Sequence, residues 1–270
     1  MQERRPATDW IPAGVDTTMP NAARVYDWYL DGANNFDVDR EFGRRAEQLL
    51  PDVKHVARMN RQFLGRAVRE LTEAGVDQFI DLGSGIPTAG NVHEVAQKIN
   101  PASRVIYVDN EPVAVAHSQL ILEGNERADI VAADIRDPDA VLRNPVTRRI
   151  LDFDRPIVVI MCTILHFVLD QDNPQDIVKR YRDASVPGSY LVISHGTTDN
   201  RPDLQAFGDA YRGTANQVQL RPRPDVEQFF DGYELIEPGL VFTPAWRSQI
   251  PVDADEAVRS GVYAGVGRKL

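Results

Sequence analysis

Asp81-Leu82-Gly83-Ser84-Gly85 closes the apolar run Phe79-Ile80, and a helix-like segment follows it. An acid ending an apolar run, then two glycines one residue apart, describes a buried parallel strand feeding a tight turn into a helix. Gly83 and Gly85 let the backbone turn sharply and let a ligand approach where a Cβ would stand. The helix after the turn is expected to offer free N–H groups to an anionic or polar group. By itself the glycine pair also fits a merely structural turn, and it is the acids downstream that give it a chemical meaning. Asp109 ends a second apolar run, 24 residues after Gly85, about where an acid accepts hydrogen bonds from ribose hydroxyls. Asp134 ends a third run and stands between recognition of an adenine amino group and capping. Cys162 and Thr163 follow a fourth run, and His195 a fifth. In an open α/β sheet all of these lie at the carboxyl ends of strands, where ligands bind. The set points to a nucleoside-containing cofactor. A dinucleotide fingerprint needs a third glycine where this chain has Thr88, and Pro87 stiffens the turn, so a nicotinamide-dependent oxidoreductase is the weaker alternative.

The elements that position these residues follow from periodicity. Residues 1–20 carry Pro6, Pro12 and Pro20 and read as an irregular arm. Helical spacing then predicts a helix with Ala22, Val25, Tyr26, Tyr29 and Leu30 on one face and Gly32 at its C-terminal cap. A second helix is expected over 38–50, with Phe42, Ala46 and Leu49 inward and Pro51 ending it. A third carries the stripe Val53, Val56, Asn60, Phe63, Leu64, Ala67, Val68 and Leu71, closed by Gly75. These three helices form a cap, residues 1–75, ahead of a cofactor-binding core, residues 76–270. In the core, strands near 77–82, 104–109, 128–134, 157–162 and 189–194 alternate with helices near 89–99, 112–123, 138–144 and 174–184. That alternation is an α/β fold with a mostly parallel sheet and helices on both faces. Helices at 203–212 and 225–230 precede two late strands, 234–236 and 262–267, with no convincing helix between these strands. Two such strands imply an antiparallel C-terminal edge and a mixed sheet.

The bulk composition excludes several classes. Lys and Arg total 30 against 40 Asp and Glu, a formal charge of −10, which does not build a surface for neutralising phosphates; nucleic acid is not an expected partner. The single cysteine, Cys162, leaves no intrachain disulfide and no cysteine-clustered zinc site, and no metal site is expected. No apolar run approaches the ~20 residues of a membrane span, so no membrane contact is expected. Met1 to Pro6 has no apolar signal-peptide core, which makes a cytoplasmic location the default. The oligomeric state is open, a homodimer among the options.

Ile80-Asp81-Leu82-Gly83-Ser84-Gly85 followed by Val108-Asp109 resembles the class I S-adenosylmethionine-dependent methyltransferases. A nearer resemblance spans almost the whole chain, to a bacterial S-adenosyl methyltransferase family formerly described as a domain of unknown function. It is carried by Ala23-Arg24-Val25-Tyr26-Asp27, Asn34-Asn35-Phe36, Ile86-Pro87-Thr88, Gly90-Asn91-Val92-His93-Glu94 and Tyr107-Val108-Asp109-Asn110, then by Leu165-His166-Phe167, Pro187-Gly188-Ser189-Tyr190-Leu191 and the segment Tyr263 to Lys269. The resemblance implies a Rossmann-like class I methyltransferase sheet and S-adenosyl-L-methionine as cofactor, without implying an acceptor. It implies that Gly83, Ser84 and Gly85 meet the methionine portion, that Asp109 holds the ribose, that Asn110 flanks the adenine, and that Asp134 with Ile135 closes the adenine edge. Asp81 and Cys162, at the ends of their strands, complete the expected cofactor set.

Asn60 interrupts the apolar stripe of the third helix. Fifteen residues before Gly75, at ~1.5 Å per residue it lies roughly 20 Å from the helix end, near the ligand end of the sheet. It either binds the cofactor's amino-acid moiety or is a buried asparagine satisfying backbone groups. His166 follows the fourth strand and is the candidate catalytic residue, a general base on an acceptor hydroxyl or amine; a histidine packed at a loop start is the alternative, since methyl transfer also proceeds by proximity alone. His195 is a weaker candidate of the same kind. Arg58 and Arg61 are expected in solvent, and His93 and His117 on surface helices. Tyr26, Trp28, Tyr29 and the Asn34-Asn35-Phe36 loop are candidates to lid an acceptor pocket, with Phe242 and Trp246 lining it opposite. The expected function is methyl transfer to a small-molecule nucleophile, with a non-catalytic cofactor-binding protein as the alternative.

Overall fold

The computed structural model describes residues 11–12, 14–87 and 90–270. Thr88, Ala89 and most of the expected N-terminal arm lie outside the described residues. Among the described residues eleven α-helices and eight strands follow one another, beginning with α1 (Ala22–Tyr29), α2 (Asp37–Leu49), α3 (Val53–Glu73), β1 (Gln78–Leu82), α4 (Val92–Ile99), β2 (Arg104–Asp109), α5 (Pro112–Ile121) and β3 (Ala128–Ala132). Then come α6 (Pro138–Leu142), α7 (Pro145–Ile150), β4 (Val158–Cys162), α8 (Pro174–Asp183) and β5 (Tyr190–Gly196). The chain closes with α9 (Leu204–Ala210), α10 (Arg223–Gln228), β6 (Tyr233–Leu235), β7 (Val241–Phe242), α11 (Ala254–Arg259) and β8 (Val262–Lys269).

The strands form one sheet in the order β3-β2-β1-β4-β5-β8-β6, with β7 also on β8. β1 to β5 are parallel, and β8 runs antiparallel to β5, β6 and β7. This is the expected mixed sheet. The late strands are not one isolated hairpin, however: β8 inserts between β5 and the short β6 and β7. Strand order reverses direction between β1 and β4, and a crevice therefore opens at their carboxyl ends.

Alternate side chains of each strand face opposite layers. Ile80, Leu82, Ile106 and Val108 pack with α6 to α8 on one face. Phe79, Val105, Val158 and Val192 pack on the other with Phe63, Leu64 and Val68 of α3. The amphipathic α3 thus lays its C-terminal half on the sheet. Its N-terminal residues Val53 and Ala57 join a separate cluster with Val25, Phe42, Leu204 and Tyr211. The cap core is therefore shared with the segment after β5.

Several local expectations change. The left-handed residue ending α1 is Asp31 (φ 61°), not Gly32, because the N–H of Gly32 bonds back to the Asp27 carbonyl at 2.8 Å. Leu49 is exposed and Leu50 takes the inward place, since α2 ends at Leu49 and Leu50 leaves the helix at its cap (φ −134°). The segments α7, β7 and α11 were not foreseen: each is six residues or fewer, too short for a periodicity to show. The helix after the glycine turn begins only at Val92, capped from Asn91.

A buried cation joins the cap to the sheet. Arg24, 1 % exposed, donates from Nε to Asp39 (2.8 Å), from Nη1 to Glu111 (3.0 Å) and from Nη2 to the Met19 carbonyl (2.7 Å). Asp39 also accepts the backbone N–H groups of Asn21 and Phe36. Burying three charges is tolerable only because each is paired and hydrogen-bonded. Arg24→Ala leaves two buried carboxylates without their cation and should cost about 3–5 kcal/mol in urea unfolding; a loss under about 1 kcal/mol would show that the cluster does not hold the cap down.

Candidate functional site

One cavity of ≈ 440 Å³ opens at the carboxyl ends of the strands, and Asp81, Gly83, Ser84, Gly85, Asp109, Asn110, Asp134, Ile135, Cys162, Asn60 and His166 all line it. The glycine turn has a steric origin. Gly83 sits at φ +70°, and a Cβ there would stand 2.4 Å from Ile164, the first residue of the loop after β4 to lie over the turn. Its N–H and that of Ser84 bond to the Val108 carbonyl (2.8 and 3.1 Å), and that of Gly85 (φ +68°) bonds to the Asp109 carboxylate at 2.7 Å.

The turn therefore spends its N–H groups on β2, contrary to the expected anion site. The start of α4 is no substitute, since Glu94 accepts the N–H groups of Gly90 and Asn91 at 2.8 and 2.9 Å. What the turn presents instead is acidic and hydroxylic. Asp109, 7 % exposed, accepts Gly85 and Glu111 N–H groups (2.7 and 2.9 Å). Burial pushes its carboxyl up to about 6 against those bonds. Burial pushes Asp81 up to about 7, with Arg61 pulling it down and Asp109 pushing it further up. The Ser84 hydroxyl is buried and, among the described residues, has no hydrogen-bond partner. Carboxylates with raised pKa and an unpartnered hydroxyl suit a ligand bearing positive charge and hydroxyls, as S-adenosylmethionine does. An anionic pyrophosphate would meet two acids there.

Asp134 caps the turn after β3, where it accepts the N–H of Arg136 at 2.9 Å. Its carboxylate chelates Arg136 (2.6 Å to Nη2) and accepts the Asn110 amide at 3.2 Å. Burial raises its pKa, but the Arg136 hydrogen bonds outweigh this and hold the group below its ordinary value. Ile135 is buried beside it. The Cys162 thiol is pushed up to about 12, by burial first and Asp81 second, so it is an inert thiol against the cavity.

Asn60 reaches the ligand end of the sheet, as the helix length required, and is fully used there. Its amide nitrogen donates to the Tyr26 hydroxyl (2.9 Å) and Thr163 Oγ1 (3.3 Å), and its oxygen accepts from Ser194 Oγ (2.6 Å). The groups it satisfies are side-chain hydroxyls rather than backbone. Arg61, expected in solvent, lines the cavity and donates to the Gly90 carbonyl at 3.2 Å. Its place one residue after Asn60 was the available signal.

His166 lies in a short 3-10 turn, Leu165–Phe167. Its Nδ1 is buried and unpartnered. Burial, then the nearby Arg221 charge, pushes its pKa down to about 3. His195, by contrast, is fully buried behind the site: its Nδ1 contacts the Gly196 carbonyl (2.7 Å) and its Nε2 the Arg221 guanidinium (3.1 Å). Arg221, 2 % exposed, also donates to the carbonyls of Leu165 (3.0 Å) and Val168 (2.8 Å) and to Asp170 (2.7 Å). It clamps the loop that carries His166, and its sequence context, an Arg-Pro-Arg-Pro connection, gave no sign of that.

The second half of the cavity departs most from expectation. Tyr26 and Tyr29 line it, but Trp28 packs under Lys54 (4.2 Å) and Asn35 binds Asp27 (2.7 Å). Trp246 is fully buried against Phe63 (5.4 Å), and Phe242 stacks on Tyr263 (4.7 Å), so neither lines the cavity. The wall opposite the cap comes from 204–220 instead, with Leu204, Phe207 and Tyr211. His93 is not on the surface either: it is buried, with Nδ1 2.7 Å from the Tyr107 hydroxyl. Among the described residues no group of three or more His, Cys, Asp or Glu is placed to hold a metal ion, and no helix is long and apolar enough to cross a membrane.

The fold has close counterparts. A DUF574-family protein of Streptomyces avermitilis MA-4680 shares 37% identity at a TM-score of 0.88, with 94% of this chain and 99% of that one covered. A candidate methyltransferase of Thermobifida fusca YX shares 39% identity at a TM-score of 0.92, with 96% and 98% covered. An O-methyltransferase family protein of Burkholderia thailandensis, at 15% identity and a TM-score of 0.53, shares the fold over 82% of this chain and 61% of its own. No curated protein matches the chain. The family model described as S-adenosyl methyltransferase matches residues 8–270, which sets aside the nicotinamide-dependent and non-catalytic alternatives. This chain belongs to the S-adenosyl methyltransferase family and is an S-adenosylmethionine-dependent methyltransferase.

Proposed function

We propose that the enzyme methylates a small-molecule nucleophile held beside His166, in the half of the cavity between the cap and residues 204–220. The observation that supports this is the continuity of one cavity from Asp81 and Asp109 to Tyr29 and Tyr211. Bound at the acidic end, S-adenosylmethionine supplies an electrophilic methyl on a sulfonium for in-line displacement. Asp109 holds the ribose hydroxyls on the lone pairs that Gly85 and Glu111 leave free. Asp81 faces the ammonium of the amino-acid end, and Gly83, Ser84 and Gly85 pass alongside it, with Ser84 Oγ gaining a partner. Asn110 flanks the adenine, and Asp134 with Ile135 closes its edge. Cys162 packs as a small apolar group. Asn60 positions the wall through Tyr26, Thr163 and Ser194 rather than binding directly.

His166 acts as a neutral hydrogen-bonding group that orients the acceptor. With its pKa near 3 it is too weak a base to take a proton from a hydroxyl, and proximity carries the transfer. The reading of the location is cytoplasmic, and nucleic acid is left out as partner because the net charge is −10.

Three outcomes test these roles. Charge-assisted hydrogen bonds are worth roughly 1.5–3 kcal/mol each, so Asp109→Ala should weaken S-adenosylhomocysteine binding by at least about tenfold, with Asp109→Asn between. Titration calorimetry reads the affinities and circular dichroism the fold; because Gly85 and Glu111 lose their acceptor, Asp109→Ala should also lower stability by about 1–3 kcal/mol. Equal binding by all three proteins removes Asp109 from the ribose. Second, Asp81 and Asp109 are partly protonated near pH 6, since burial sets them at about 7 and about 6. A cationic ligand favours their ionised forms and expels those protons, so S-adenosylmethionine affinity should rise from about pH 5.5 to about pH 7.5 and then level. Calorimetry in buffers of different ionisation enthalpy counts the protons; uptake on binding would contradict the assignment. Third, His166 ring resonances should stay at neutral positions from about pH 8 down to about pH 5, and a midpoint near the ordinary ~6.5 would restore it as a base.

A further inference from the structure

The acceptor half of the cavity has a composition unlike the cofactor half. All the charged side chains lining the cavity, Arg61, Asp81, Asp109, Glu111, Asp134, Arg136 and Asp172, belong to residues 61–136 or pair with Arg136, as Asp172 does at 3.8 Å. The opposite wall, among the described residues, contributes none. It is built around Tyr211, whose ring meets Phe207 edge-on at 5.6 Å, Phe42 at 4.8 Å and Phe167 at 6.0 Å. The Tyr211 hydroxyl is 3.1 Å from that of Tyr29 on α1, so one phenol donates to the other and ties the two walls together. Val53, Leu204, Val218 and Leu220 add aliphatic surface, and the polar side chains on this side, among them Asn216 and Gln217, are uncharged. His166, whose ring packs edge-on against Phe167 at 4.4 Å, is also held uncharged.

We infer that the acceptor is an uncharged, flat, largely apolar molecule, of the size and character of a bicyclic phenol, that turns a hydroxyl toward His166. This inference rests on the reading above that the second half of the cavity is the acceptor site. Three features point to it. A carboxylate or phosphate on the acceptor would be desolvated against this wall with no cation to meet it. An ammonium would meet the ring faces, but no carboxylate, and would lie beside the cofactor's own positive charge. A flat aromatic body gains burial and ring-edge contacts with the Tyr211 group without either cost. In the transfer, the acceptor oxygen forms the new bond to the methyl carbon as the sulfonium–carbon bond breaks. The hydroxyl proton leaves to solvent, and no oxidant or reductant enters.

The test uses three naphthalenes of matched shape and the full-length enzyme saturated with S-adenosylhomocysteine. 2-Naphthol should bind at least about tenfold more tightly than 6-hydroxy-2-naphthoate or 2-naphthylmethylammonium, the equivalent of ~1.4 kcal/mol. Phe207→Ala should weaken naphthol binding several-fold while S-adenosylhomocysteine affinity holds. Val218→Arg, on the half-buried loop of the same wall, should shift the preference toward the naphthoate. With S-adenosylhomocysteine bound normally, equal or tighter binding of a charged probe, or no binding of naphthol, overturns the acceptor class alone. Tighter binding of the ammonium in particular would mark an aromatic cage for cations. Failure of S-adenosylhomocysteine to bind would overturn the underlying reading as well.

Discussion

The Asp109 carboxylate is where the architecture of this enzyme converges. One oxygen takes the N–H of Gly85 and so ties the turn after β1 to the end of β2; the other takes the N–H of Glu111 and shapes the turn into α5. Glu111 then receives Arg24 of α1, which also holds Asp39 of α2. One polar chain thus runs from the glycine turn, through the end of β2, into the cap. Each member is buried, so each needs the next. An acid held at the ligand end of the sheet in this way is preorganised: the backbone bonds fix its orientation and leave its remaining lone pairs toward the cavity.

That arrangement divides the site into two dielectric and chemical regimes. At the sheet end, Asp109 lies close enough to Asp81 to raise its pKa on top of burial, which suits a ligand that brings positive charge. Toward the cap the wall is aromatic and aliphatic, and its histidine is kept neutral by burial and by Arg221. The same Arg221 clamps the loop after β4 through two carbonyls and Asp170. A fixed loop is what displacement by proximity requires, since small misplacements of the acceptor are costly when no general base assists. The core shared between the cap and residues 204–220 makes both walls of this half of the cavity one packed unit.

Much of this was legible in local pattern. The five parallel strands, the helices between them, Gly83 and Gly85, and the acids Asp81, Asp109 and Asp134 follow from apolar runs of strand length ending in turn or acidic residues. Asn60 could be placed because helix rise converts sequence distance to length. The edge strands β6 and β7 are short and one-sided, and their pairing with β8 depends on the register of β8 against β5, a long-range fact. Trp246 looked like a pocket residue because large aromatics often are; it is fully buried on Phe63 because Arg66 ties its carbonyl to α3.

The sequence by itself determined the sheet, the turn and the identity of the ligand-end acids, because these arise from residues adjacent in the chain or repeated at a fixed period. Tertiary structure alone decided three things. It spent the turn's N–H groups on β2 rather than on a ligand. It brought residues 204–220, more than a hundred positions from the cap, into contact with α1 and α2 as a wall of the cavity. It buried His166 beside Arg221, moving a nominal base out of the range where it takes protons. Each of these depends on which groups share a low-dielectric space after folding, and no local pattern carries that information.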